Sequence, residues 1–354
     1  MIIYYHVKEI KKFPSGIEHL TLKNQVIDGE IQSVVCVAGI VRDIQQIQGN
    51  MWKSLFEMNC AHSYTVHMLV GNDVELSKQY QIKLWQEWRE NREYTELDLK
   101  CAPFIILDES KDESMTRITN RIDKISRLRD YQRQLLRESF GNKLSLSSIV
   151  MLVDFDLFRL PMTTQLVQIV NKLQDHDFTH DAICSAGVTL GIDLRNQARG
   201  KELWYYDTFS TVLYPDTFVH PLRRRLFPSF YSGENPNLVR SEDQQFGNFT
   251  QADLMHYLVQ EGIQSKTGKV RMRSCFGGLT VYKAWKYLDT RCQYTLSWGM
   301  IMHGDKSTIM KYASSKDERP CEHVVLHECM HRSLTYFDIA LDPTLVTEWR
   351  KDSF

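Results

Sequence analysis

No apolar run in this chain is long enough to cross a bilayer. The longest, Val34–Val41 and Ile149–Val153, fall far short of the roughly 20 residues that a spanning helix needs. Charge of one sign is also lacking. Lys and Arg number 43 against 44 Asp and Glu, a formal net charge of −1, so no global field draws the chain to nucleic acid or acidic lipid. The segment Met1–Lys8 has no basic stretch followed by a long apolar one, as a signal peptide would. None of the eight cysteines forms a CxxC pair, and several sit inside apolar runs as buried free thiols do. These absences predict reduced cysteines and a cytoplasmic chain, or one trimmed of an anchor. Internal repeats and low-complexity segments are absent too. What is there suits a soluble globular protein with a large core: 354 residues, 43% hydrophobic and 25% charged.

The apolar runs mark strands, and each ends in polar or acidic residues. Ser33–Asp43 reads as a buried strand ending in a glycine turn, followed by a helix around Gln45–Asn59. A second strand, His62–Leu69, ends at Asn72-Asp73, and a third, Cys101–Leu107, at Asp108-Glu109. Between and after them, Glu75–Asn91 and Ser114–Phe140 read as helices. In the second, Ile118, Ile122, Ile125, Leu128, Tyr131 and Leu135 form an apolar row. The alternation predicts an α/β fold with a mostly parallel sheet and helices on both faces, and ligands beyond the carboxyl ends of the strands. Past Pro161 the expected elements are a helix at Thr163–Leu173 and strands at Ala182–Val188 and Val270–Ser274. The polar, aromatic stretch from about 191 to 270 reads as a long irregular insertion.

The fourth run carries the chemistry. Ile149–Val153 leads straight into Asp154-Phe155-Asp156. On a strand the two acids share a face while Phe155 points the other way. Two like charges at a strand tip repel, and a divalent cation, or a ligand carrying one, relieves that cost. Just before this run, Arg129 and Arg133 lie one helical turn apart on one face, suited to phosphates or sugar hydroxyls.

Five blocks occur in a telling order: Arg129–Leu136, Val153–Asp156, Trp204–Thr208, Cys275–Leu279 and Cys321-Glu322. In this order the chain resembles the GT-A glycosyltransferases with their DxD motif, and among them the capsule-associated (alpha-1,3-) mannosyltransferase family. The resemblance spans roughly residues 33–345 through short blocks only. It implies one Rossmann-like GT-A domain over 1–354, with a donor-nucleotide half at about 33–160 and an acceptor half at about 161–345. It implies a hexose such as mannose moved from GDP-mannose or a UDP-sugar to a glycan acceptor with Mn²⁺ or Mg²⁺. By the same resemblance Gly39, Ile40, Val41, Arg42 and Asp73 face the nucleobase and ribose, and Arg129 and Arg133 contact the donor. Asp154 holds ribose and metal, Asp156 holds metal, and Gly277-Gly278 lets backbone approach the donor sugar. Tyr205, Tyr206 and Asp207 line the acceptor side, Glu322 is the acceptor-side carboxylate, and His327 or His331 supplies a third metal ligand. Neither a nucleic-acid partner nor a membrane span is expected.

Two other readings stand beside this one. His327-Glu328-Cys329-Met330-His331 matches H-E-x-x-H, in which two histidines hold zinc and the glutamate activates water. Against it, Arg332 and Ser333 follow where uncharged and apolar residues are usual, and only 23 residues remain. A haloacid-dehalogenase-like phosphatase also uses an apolar run ending in D-x-D. It wants Thr or Val two residues after the second Asp, where Phe158 stands here.

Overall fold

In a computed structural model the described residues are 10–12, 18–20, 34–62, 64–71, 74–90, 105–108, 118, 121–140, 144–175, 177–192, 201–205, 210–213, 251–295 and 321–349. The fold is α/β, with a mixed sheet and flanking helices. It divides into two compact units. The first takes Met1–Phe178 and Val281–Asp289, the second Thr179–Thr280 and Thr290–Phe354. Among the described residues no helix is long and apolar enough to cross a membrane.

The first unit begins with two short antiparallel strands, β1 (Ile10–Lys12) and β2 (Glu18–Leu20). Its core is a parallel sheet of β3 (Val35–Val41), β4 (Thr65–Val70), β5 (Ile105–Asp108) and β6 (Ile149–Val153). Every residue of β6 is buried, as is all of β3 except the half-buried Ile40, which is why both read as unbroken apolar runs. The connecting helices are α1 (Gly49–His62), α2 (Val74–Glu90) and α3 (Arg121–Phe140), with α4 (Thr163–Gln174) after β6. The strand order is β5-β4-β3-β6. The chain therefore moves outward from β3 to β5 and returns to the other side of β3. The order reverses between β3 and β6, the place where open α/β sheets bind ligands.

The second unit is mixed. Strands β7 (Ala182–Ile192), β8 (Lys201–Tyr205), β9 (Val212–Leu213) and β10 (Val270–Ser274) precede β11 (Leu279–Lys283), which carries the chain back into the first unit. The short α6 (Ala284–Tyr287) follows there. Helix α5 (Gln251–Gln264) precedes β10, and α7 (Glu322–Ser333) and β12 (Ile339–Trp349) close the described chain. Strand β12 pairs parallel with β7 and antiparallel with β10, while β8 lies antiparallel on β7 and β9 on β10. At Pro343, which has no N–H for a ladder, β12 bulges between Asp342 and Val346. The bulge is held by Asp342, whose carboxylate accepts from Lys269 Nζ at 2.6 Å and Thr344 Oγ1 at 2.6 Å.

Several boundaries differ from the sequence expectations. The helix expected at Gln45 begins as a 3₁₀ turn, Ile44–Gln46, because the Asp43 carboxylate accepts from the Gln45 N–H at 3.0 Å; α1 starts only at Gly49. Gly39 is not a turn but a strand residue opposite Met68. The stretch expected to be irregular from about 191 to 270 contains β8, β9 and α5.

The reduced-cysteine expectation is overturned. Cys184 on β7 bonds Cys275, and Cys292 bonds Cys329 on α7, with Cα separations of 6.0 and 5.6 Å. The pairs lie 91 and 37 residues apart, so no local spacing announced them. Cys36 keeps a free thiol, and burial pushes it up to about 12 against a hydrogen bond from Thr65 that lowers it. Closing loops of this length contributes about 2–4 kcal/mol each. Reduction should therefore lower the melting temperature of the second unit. Calorimetry with and without a thiol reductant checks this, with alkylation and peptide mass spectrometry to count bridges. Unchanged melting after full reduction, or eight alkylatable thiols without reductant, contradicts the pairing.

Candidate functional site

The acidic tip forms where the β3–β6 ladder runs out. The last pair is Ala38 with Leu152, and after Val153 the chain turns, with the Leu157 N–H reaching the Asp154 carbonyl at 3.4 Å. The two acids thus sit in a turn rather than on the strand, yet they keep the alternation. Asp154 is half-buried, Phe155 fully buried and Asp156 exposed. Arg129, buried on α3, donates from Nη2 to Asp154 Oδ1 at 2.5 Å. This charge-assisted bond fixes Asp154. Asp156 differs in kind. Although it is reached by solvent, the protein packed around it desolvates the carboxylate and raises its pKa. Its own backbone N–H, Arg129 and Arg121 pull the other way. Asp156 is therefore a carboxylate whose charge is under-compensated, and a cation would stabilise it.

Two carboxylates suit a small hard cation that takes its other ligands from phosphate oxygens and water, the usual mode of Mg²⁺. Among the described residues no group of three His, Cys, Asp or Glu could hold a metal unaided. The residue set fits a metal shared with a phosphate ligand and does not form a closed protein cage.

Arg133 is placed otherwise. It is wholly buried, and its guanidinium donates to the Tyr287 carbonyl from Nε at 2.9 Å and Nη2 at 2.6 Å, and to the Asp289 carbonyl at 3.0 Å. It clamps the carbonyl end of α6, where a cation is favoured. Its Nη1 donates to the Asp130 carboxylate at 3.3 Å, so its forked donors are taken by protein groups. Of the remaining first-unit candidates, Gly39 and Val41 are buried, Ile40 is half-buried and Arg42 is exposed at the end of β3. Of these, Gly39 lies against Val153 and Phe155 next to the acids. Asp73 and Asp207, with Tyr206, lie outside the described residues.

Gly277, Gly278, Glu322 and His327 belong to the second unit. Gly277 and Gly278 have φ of +61° and +86°, values that glycine adopts freely. A methyl on Gly277 would overlap the Ser185 carbonyl oxygen of β7, so its bareness already serves a protein contact. Ser185 Oγ and Thr347 Oγ1 both donate to its carbonyl. Glu322 opens α7, where the helix N-terminus favours an anion. It is nearly buried, with His323 Nε2 at 3.6 Å and the Cys321 thiol donating at 3.5 Å. The His323 ring stacks on Phe276 with centroids 3.8 Å apart.

The H-E-x-x-H residues are engaged in packing. Glu328 accepts from Arg273 Nε at 2.7 Å and Nη2 at 2.6 Å, and from Arg332 Nε at 2.7 Å. Burial raises its pKa, but the two guanidiniums outweigh that and hold it below the usual range. A glutamate between two arginines is a poor base for water. His331 Nε2–H donates to the Arg273 carbonyl at 2.9 Å, and His327 Nδ1 meets Ser274 Oγ at 2.9 Å. Glu328 therefore has a structural role. Arg273 and Gln132 were missed. The only available hint to Gln132 was its place three residues after Arg129.

No family model matches the chain, and no curated protein matches it. Among solved structures the chain is similar to the crystal structure of S. aureus TarS 1-349, at 7% identity and a TM-score of 0.39, over 90% of this chain and 60% of that one. The chain thus spans less than two-thirds of that structure, and a likeness at this level bears on neither activity nor fold detail.

The buried histidines set a pH response. Burial, and then His331, push His327 down to about 3. Burial, and then Arg273, push His331 down to about 4, against its own hydrogen bond to the Arg273 carbonyl and the charges of Glu328 and Asp338. Both are neutral when folded and take up protons near pH 6.5 when unfolded. Their contribution is complete above pH 6.5 and is lost as pH falls toward those folded values. Unfolding free energy should drop by on the order of 2 kcal/mol per histidine between pH 7 and pH 5. Urea titrations across that range check this, and His327→Asn should flatten the slope. A pH-independent midpoint contradicts it.

Proposed function

We propose that this chain is a divalent-metal-dependent glycosyltransferase that moves a hexose from a nucleoside-diphosphate sugar to a glycan hydroxyl. The observation that supports this reading is the acid loop. One carboxylate is anchored by a buried arginine and one is exposed and under-compensated, at the point where a parallel sheet reverses its strand order. In this reading Asp156 binds Mn²⁺ or Mg²⁺ directly. Asp154, oriented by Arg129, takes a second position on the cation or a ribose hydroxyl. When bound, the cation supplies Lewis-acid stabilisation to the departing diphosphate. Ile40, Val41, Arg42 and Asp73 are assigned to the nucleoside, of GDP-mannose or a UDP-sugar, and Asp207 to the acceptor. Arg133, with its donors on the Tyr287 and Asp289 carbonyls and on Asp130, is assigned to holding the unit together. Glu322 is proposed as the acceptor-side carboxylate, removing the hydroxyl proton in an inverting reaction or steadying the oxocarbenium-like state in a retaining one.

Calorimetry with GDP and UDP, each with and without Mn²⁺, tests the donor site. Binding should tighten on adding metal, and Asp156→Asn should abolish that gain more fully than Asp154→Asn. Affinity indifferent to metal would sink the assignment.

The two glutamates of α7 separate transfer from proteolysis. Glu322→Gln should keep nucleotide binding and lower transfer by ~10²–10⁴-fold in an inverting enzyme, less in a retaining one. Glu328→Gln should leave transfer per folded molecule unchanged but cost about 1–3 kcal/mol of stability, because partly exposed Arg273 and Arg332 lose their counter-charge. Peptide hydrolysis that vanishes with Glu328→Gln would reverse the assignment.

A further inference from the structure

Gly39 sits in a regular strand. It is not among the positive-φ glycines, so its backbone conformation does not require the residue. What requires it is space. A methyl at Gly39 would lie 2.5 Å from Phe155 Cε2 and 2.7 Å from Cζ, and would overlap the Val153 carbonyl oxygen. Phe155 has no exposed surface, and it is the residue between the two acids. Its ring therefore occupies the hollow left by the missing side chain on β3. The other side of Gly39 is tied as well. Gln132 on α3, 1% exposed, donates from Nε2 to the Gly39 carbonyl at 2.8 Å. The carbonyl can only accept, so the amide orientation is settled by chemistry. Arg129, one turn earlier on the same helix, holds Asp154. One helix thus fixes both the hollow and the first acid, while the ring in the hollow fixes the peptide between the acids.

We propose that Gly39, Gln132 and Phe155 form a seat that positions the Asp154–Asp156 turn, acting as positioning residues for the carboxylates rather than as contacts to a nucleotide. The functional half of this inference rests on the metal reading of those acids; the geometric half does not. The physical reason is stereochemical. Adjacent side chains in this turn point opposite ways, so anchoring Phe155 inward forces Asp156 outward. Site groups must be held to within a fraction of an ångström to act, and an exposed turn does not achieve that on its own.

The test uses the full chain and two readouts. Amide hydrogen exchange follows Phe155–Leu157, with the β4 amides Val66–Leu69 as an internal reference for global stability. Manganese titration, with and without GDP or UDP, follows affinity. Phe155→Ala empties the seat, Phe155→Met refills it with a flexible apolar chain, and Gln132→Met removes the bond to Gly39 at similar volume. Phe155→Ala and Gln132→Met should speed exchange in the turn more than in β4 and weaken Mn²⁺ by about 10- to 100-fold, as loss of supporting contacts around a metal does. Phe155→Met should restore both toward the parent. Gly39→Ala should behave like Phe155→Ala, and if it fails to fold the Phe155 and Gln132 variants still decide. Exchange that rises equally in the turn and in β4, or a turn unchanged in Phe155→Ala, overturns the seat whatever the metal does. If the parent binds no Mn²⁺ but the turn loosens as expected, the seat stands and the metal reading falls.

Discussion

Parallel pairing of Val35–Ala38 with Ile149–Leu152 is the constraint on which the first unit depends. Both strands are buried, so their register cannot slip by a residue without turning core side chains outward. That register ends the ladder where the acids begin. It also brings the Gly39 hollow level with Phe155, although 116 residues of chain separate them. Each fully buried valine, leucine or isoleucine in such strands stabilises the fold by about 1.5–3 kcal/mol, which is what holds two carboxylates in a turn that electrostatics alone would open.

Helix α3 shows how a polar row is used in packing. Its apolar face, with Leu128 and Leu135 against Leu69, follows the expected helical period. A second buried face carries Ser126, Arg129, Gln132 and Arg133. Buried guanidinium and amide groups are costly unless bonded, and here Asp154, the Gly39 carbonyl and the Tyr287 and Asp289 carbonyls receive them. The helix thereby ties a strand tip, an acid and the carbonyl end of another helix into one arrangement.

In the second unit the same principle acts through ions and bridges. Asp338 takes His180 Nδ1 at 2.8 Å and Arg271 Nε at 2.8 Å, Asp342 takes Lys269, and Glu328 takes two arginines. Two disulfides add covalent ties at β7 and α7. An H-E-x-x-H spelling in such surroundings is a helix surface packed on β10, because both Glu328 oxygens and one ring nitrogen of each histidine already meet protein groups. The bridges also weigh against the reduced thiols on which the cytoplasmic expectation rested.

The strands, their buried character and the acids at the end of the fourth run were legible in the residues themselves, since unbroken apolar runs and helical spacing are local patterns. Arg129 was expected to contact a donor, and its pairing with Asp154, 25 residues on, could not be read from spacing. The different fate of Arg133, four residues on, could not either, because its Nε and Nη2 reach carbonyls 154 and 156 positions away. Likewise Gly39 looked like a turn, Gly277-Gly278 like a ligand contact and the cysteines like free thiols. Each of these depends on what the fold places against the residue: an aromatic ring, a neighbouring strand, a second sulfur. Side-chain type and spacing therefore determined which elements form and where the carboxylates fall. Tertiary structure alone decided which polar groups are consumed in packing and which, like Asp156, still face solvent, because burial and partner are properties of three-dimensional proximity.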